Sequence, residues 1–336
     1  MKFYLFAFII LIAASASFLS CNNDSPLGTN TPSENYYSWS IVSEGLEGIT
    51  SISSGSANVV FASGIKSYRI ANGIRTEINF HDEKFTPVDV KAYDENYAVF
   101  LGYKTFPSDT AFFKIYSNGT VKSYDLGLKQ SDFLNEVFIL DKDKFYITNE
   151  GPITWYEFNK GVFTEHTLPN NHAALKFTKM NNEIYLISKY ENNNFNVFFK
   201  IENGSAIEVR NEAPDGKLFF LNNDIIKVKE EDMSVEFYYY TGTGWNKFYS
   251  SYANSNGEKA VYISGDSKDF FSVITLDNQY NFHGNTWSGR EYKQQENFPS
   301  GLTSFNTLGK ASNFKEGTFY FYHSEVKKLF KAVKNN

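Results

Sequence analysis

Two carboxylate pairs, Asp141-Lys-Asp143 and Asp266-Ser-Lys-Asp269, have the close spacing from which oxygen ligands for calcium are drawn. Calcium takes roughly six to eight oxygens, and neither pair lies in a loop that supplies the rest. Both fall where turns are expected between a first and a second strand. Asp is favoured there because its carboxylate bonds the backbone two residues on. Glu230-Glu231-Asp232 reads as a charged loop rather than a catalytic cluster. The histidines (His81, His166, His172, His283, His323) show no H-x-x-x-H spacing, so no zinc site is expected. The one cysteine, Cys21, leaves no disulfide partner and no thiolate cluster for a metal. A G-x-S-x-G elbow, a P-loop and a G-x-G-x-x-G turn are all missing. No catalytic residue, metal or other cofactor is therefore assigned. Paired carboxylates for glycoside chemistry would escape this reading, since they would come from segments far apart in sequence.

The elements that would position any site are strands. Of 336 residues, 18% are aromatic, with 33 Phe and 23 Tyr, residue types that suit half-buried pleated surfaces. The net charge of −6 and the lack of a basic cluster argue against nucleic acid as a partner.

Ala174–Arg210 reads as four short strands separated by turn residues at Asn181-Asn182, Glu191–Asn194 and Asn203-Gly204. The pattern recurs. Its apolar second strand begins at Asn58, Tyr97, Lys144, Glu183, Asp224, Asp269 and Thr318. A period of about 40–50 residues built from short strands points to the blades of a β-propeller. Consecutive apolar residues such as Val59-Val60-Phe61 suit strands covered on both faces. Asn72-Gly73, Asn118-Gly119, Lys160-Gly161 and Asn203-Gly204 mark tight hairpins between third and fourth strands. The last unit lacks a fourth strand, while Ser38–Ser43 has no unit of its own. Its Trp39 is expected to match Trp245 and Trp287 as openers of fourth strands. The expected fold is all-β: a seven-bladed propeller of four-stranded antiparallel blades, the last closed by the N-terminal strand.

Among propellers, the sequence has no WD dipeptide and no kelch double glycine. Gly284-Asn-Thr-Trp287 resembles the tail of a sialidase-type Asp-box, with Phe282 where the aspartate would stand. No catalytic residue carries over from any of these families.

Residues 1–21, MKFYLFAFIILIAASASFLSC, combine Lys2, an apolar run Phe3–Ala13 and small residues before Ser20-Cys21. This layout resembles a bacterial lipoprotein signal. The resemblance implies cleavage before Cys21 and acyl chains on its sulfur and new amine, at about 0.8 kcal/mol per buried methylene. Two other readings stand beside it: Ala14-Ser15-Ala16 as an ordinary cleavage site, and a retained membrane segment. The second is short of the roughly 20 apolar residues of a comfortable span. The expected organisation is a signal at 1–20, a lipidated, flexible tether at 21–37 and a propeller at 38–336. Asn22 after the cysteine favours, by the same resemblance, the outer membrane of a Gram-negative bacterium.

Binding residues concentrate on loops held by a rigid scaffold. Those loops connect blades, or second to third strands, and offer Tyr103, Phe106, Tyr190, Asn192, Tyr252 and Phe298 as candidate ligand contacts. The expected role is non-catalytic binding of an envelope protein or a glycan by a monomer. The alternatives are a glycan-processing hydrolase or lyase with acidic residues in the central funnel, and an envelope assembly scaffold.

Overall fold

The computed structural model describes residues 36–81, 85–104, 110–129, 134–149, 154–169, 172–190, 196–212, 215–231, 234–252, 257–303 and 309–335, with side chains 128–129, 189–190, 211–212, 231 and 252 outside that set. The expected signal segment, Cys21 and tether residues up to 35 lie outside the described residues.

Among the described residues, 28 strands form seven antiparallel sheets of four. Blade 1 spans residues 49–77, blade 2 85–129, blade 3 134–167, blade 4 172–212, blade 5 217–252 and blade 6 259–294. Blade 7 combines residues 310–334 with Tyr37–Glu44. At six of the seven joints the first strand packs beside the first strand of the next blade, the joint of blades 4 and 5 being the exception. The first strands thus ring a common axis. The fold is a seven-bladed β-propeller.

Ring closure follows the expectation for Ser38–Ser43. Tyr37–Glu44 pairs antiparallel with Lys328–Lys334, from Tyr37 opposite Lys334 to Glu44 opposite Lys328. The second strands begin within a residue of the expected positions, and Val59–Gly64 and Thr318–His323 are buried at every position. Their faces meet neighbouring blades on both sides, so both parities of the pleat must be apolar or small. Trp287 corrects the reading. It closes the third strand Phe282–Trp287, a turn follows in which Ser288 N–H donates to Glu291 O at 3.1 Å, and the fourth strand is only Tyr292–Gln294. Its indole Nε1 donates to Lys268 O at 2.9 Å, which holds the ring inside the blade rather than at its rim.

Turn chemistry sets the hairpins. Asn118 and Gly119 have φ of 49° and 84°, and Lys160 and Gly161 have 50° and 85°, the doubly left-handed turn whose twist matches the strands. Asn accepts that conformation readily; Lys does so at a cost.

Among the described residues, the buried apolar side chains fall into seven clusters, one at each joint between adjacent blades, rather than one core. At the joint of blades 2 and 3, for example, Phe113 stacks on Tyr124 at 4.7 Å and meets Phe145 edge-on at 5.3 Å.

Candidate functional site: the channel wall and the loop face

The first strands repeat one irregularity. Their pairing with the second strand slips between Ile49 and Ser51, Pro87 and Asp89, Leu134 and Glu136, and Ala174 and Lys176. A bulge re-aims the side chain that follows it. Here the following residues, Ser51, Asp89, Glu136 and Lys176, form one connected polar system across blades 1 to 4.

Ser51 Oγ donates to Asp89 Oδ1 at 2.6 Å, and Val137 N–H donates to Asp89 Oδ2 at 3.2 Å. The Lys91 ammonium lies 3.9 Å from Asp89 and 2.9 Å from Glu136, and Lys176 reaches Glu136 at 3.3 Å. Lys176 also sits 4.7 Å over the Phe220 ring of blade 5. Burial pushes the Asp89 carboxyl above its usual value, against the opposing pull of Lys91. Burial acts on Glu136 in the same sense, but Lys176 and Lys91 outweigh it and hold Glu136 low. Burial alone would lower the Lys91 ammonium; Asp89 and Glu136 overcome it and raise it.

Three further joints are stitched in the same manner. Ser54 and Ser312 meet hydroxyl to hydroxyl at 2.7 Å, and Asn313 Oδ1 accepts from Ser53 Oγ at 3.0 Å and Ser54 N–H at 2.9 Å. Ser264 Oγ donates to Ser312 O at 3.0 Å. Glu230, expected in a charged loop, lies instead on the strand Ile225–Glu231. Its carboxylate accepts from Ala260 N–H and from Lys217 at 3.1 Å, tying blade 5 to blade 6. The Asp141-Lys-Asp143 turn is a local device, with Asp143 N–H donating to Asp141 Oδ1 at 2.8 Å. Among the described residues, no three His, Cys, Asp or Glu side chains converge as metal ligands would.

The loop residues separate into packing residues and residues outside the description. Tyr103 is buried, and its hydroxyl donates to Leu134 O at 3.1 Å across the joint of blades 2 and 3. Phe298 is half-buried, edge-on against Trp39 at 4.9 Å, with its ring filling the space over Gly284. Tyr190 and Tyr252 end the strands Glu183–Tyr190 and Trp245–Tyr252, with side chains outside the described set. Phe106 and Asn192 lie outside the described residues. Tyr103 and Phe298 stand at different joints and share no site.

Sequence reasoning missed Ile65. Between blades 1 and 2, on the face of these loops, lies an open cleft of about 870 Å³. Ile65 forms its lip and is 83% exposed. Beside it Lys66 pairs with Glu77 at 3.1 Å. Phe80 forms the inner wall, edge-on to Phe85 at 5.0 Å and Phe100 at 5.1 Å. The buried Lys114 holds the Phe80 carbonyl at 3.3 Å. His81 takes a left-handed φ of 53°, with its N–H donating to Asn79 Oδ1 at 2.7 Å. The signal was available: an isolated isoleucine between Gly64 and Lys66, off the strand, with no apolar neighbour in sequence.

No family model and no curated protein matches the sequence. Solved structures do resemble it. YCF48 bound to D1 peptide superposes with a TM-score of 0.61 at 8% identity, over 90% of this chain and 98% of that one. The β-propeller domain of Cps50 (Swd1) from Myceliophteria thermophila gives 0.62 at 7% identity, over 89% and 100%. The GH74 xyloglucanase from Xanthomonas campestris gives 0.60 at 10% identity, over 89% of this chain and 54% of that enzyme. At such identities the likeness is one of fold alone.

Proposed function

We propose that this chain is a lipid-anchored propeller of the bacterial cell envelope that binds an extended segment of a partner protein on its loop face. The exposed Ile65 at the lip of the cleft between blades 1 and 2 carries this reading. An isolated, solvent-facing apolar side chain above an aromatic wall is an anchor point, and the flanking Lys66–Glu77 pair supplies a polar rim. The peptide-bound state of YCF48, a similar propeller, supports the ligand class. The Ser20-Cys21 box supports the anchor, and Asn22 after the cysteine supports the outer membrane.

A photoreactive amino acid at Ile65, activated in cells, should trap one reproducible partner. Ile65→Asp in a chain carrying the photoreactive group at Lys66 should abolish that adduct. Absence of any specific adduct, or its persistence in Ile65→Asp, would count against the cleft. The anchor is tested separately: an alkyne-tagged fatty acid should label the wild type and not Cys21→Ser, and labelling of both would refute lipidation at Cys21.

A glycan-processing activity draws on one observation, the opposite displacement of the Asp89 and Glu136 carboxyls about Lys91. Against it, both carboxylates are already engaged by lysine, and Asp89 also by the bonds from blades 1 and 3. A proton donor to a glycosidic oxygen must face the substrate instead.

A further inference from the structure

A second, smaller cleft lies between blades 5 and 6, away from the cleft beside Ile65. We infer that it binds one neutral sugar residue. Its volume is about 220 Å³, below the range of pockets for drug-sized ligands and suited to a single ring with its hydroxyls.

One wall is aromatic. Phe237, Tyr249 and Tyr292 pack against one another with ring centroids 5.4–5.5 Å apart, and Tyr249 rests on Trp287 at 5.2 Å. These rings support each other, so the wall is rigid before any ligand arrives. Half-buried Tyr249 and Tyr292 are suited to receive the C–H face of a pyranose.

The rest of the lining holds a hydrogen-bonded series. Asn285 Nδ2 donates to Thr275 Oγ1 at 3.2 Å, and Thr275 Oγ1 donates to Glu258 Oε2 at 2.7 Å. Asn285 is 5% exposed and Thr275 4%, yet both line the cleft. Gln294, opposite Asn285 in the strand register, completes it. Gln294 is held from behind: its Nε2 meets His283 Nδ1 at 3.4 Å, and His283 Nε2 meets Asp277 Oδ2 at 3.0 Å. Amide, hydroxyl and carboxylate groups within one small volume offer both donors and acceptors, the combination that vicinal hydroxyls need.

Charge narrows the ligand class. Among the described residues, the lining contains no lysine or arginine, and Glu258 is its one acidic side chain. An anionic sugar or phosphate would meet Glu258 with no lysine or arginine in the lining, which favours a neutral sugar over an anionic one.

The test is a titration of the purified domain with methyl glycosides of glucose, galactose, mannose and N-acetylglucosamine. Tryptophan fluorescence reports on Trp287, and saturation-transfer NMR reports on the sugar. At least one glycoside should saturate with a millimolar Kd. Tyr292→Leu and Glu258→Gln should each weaken it about tenfold or more, with Glu258→Gln keeping the wild-type melting temperature. The inference is overturned if no glycoside saturates up to about 50 mM, well above a millimolar Kd. It is equally overturned if binding survives both variants, or if tetramethylammonium saturates the site while the sugars do not.

Discussion

The indole of Trp39 donates from Nε1 to Gln295 Oε1 at 2.7 Å, joining the strand that closes the ring to the blade before it. The two residues are 256 positions apart. Trp39 also meets Phe298 and Phe319 edge-on at 4.9 and 5.4 Å, so one side chain of the closing strand serves both blades 6 and 7. Trp39→Ala should therefore destabilise the domain by about 2–3 kcal/mol through lost packing and an orphaned amide oxygen. Deleting residues 38–43 should cost far more, because it exposes the edge of Lys328–Lys334. Denaturant melts of both variants check this; an unchanged midpoint for the deletion would contradict closure by that strand.

Lys91 neutralises two buried carboxylates, and replacing it with Met would leave both without their shared partner. The expected loss is about 3–5 kcal/mol near neutral pH. With Lys91 gone, the Asp89 carboxyl, already raised by burial, would titrate higher still in the folded state, while Lys176 remains on Glu136. A raised folded pKa costs nothing below the unfolded value, near 4, and the penalty grows as pH rises. Lys91→Met should thus approach wild-type stability at about pH 4 and fall behind at pH 8. Equal losses at both pH values would count against the charge explanation.

Asp277 behaves in the opposite sense. Burial would raise its carboxyl, but bonds from Asn281, His283 and the N–H groups of Asn281 and Gln279 overcome this and lower it to about 2. The unfolded carboxyl titrates near 4, so this contribution is present above pH 4 and lost as the pH falls through 2. After discounting for solvent screening it amounts to roughly 1–2 kcal/mol. Asp277→Asn should lower stability by that amount at pH 7, and the gap should close towards pH 2. Melts across this window decide it.

Lys160 occupies a left-handed turn position that Asn fills at positions 72, 118 and 203. Lys160→Asn should stabilise the domain by about 0.5–1 kcal/mol, since Asn tolerates this backbone better. A lowered melting temperature would show that Lys160 makes a contact outweighing its backbone cost.

Much of the scaffold was legible because its signals are local. Asn-Gly pairs demand left-handed backbone, and second strands covered on both faces carry unbroken apolar runs. The site was less so. Asp89, Glu136 and Lys176 are unremarkable in sequence, and a one-residue bulge in the first strands of blades 2, 3 and 4 brings them into one connected system; no residue type announces that bulge. Tyr103 and Phe298 carried the right chemistry for a ligand, yet the joints of the ring had a prior use for their rings. Trp287 misled for a related reason: its indole has a partner in Lys268 O that only the assembled blade supplies.

The seven separate apolar clusters have a further consequence. Because each joint is complete in itself and the terminal strands lie side by side, with Asn335 N–H donating to Tyr36 O at 2.9 Å, the ring has no intrinsic starting point. A circularly permuted chain, linked across residues 36 and 335 and opened between blades 3 and 4, would contain the same sheets and the same seven interfaces. Order along the polypeptide is, for this domain, a matter of where synthesis begins rather than of what the folded ring requires.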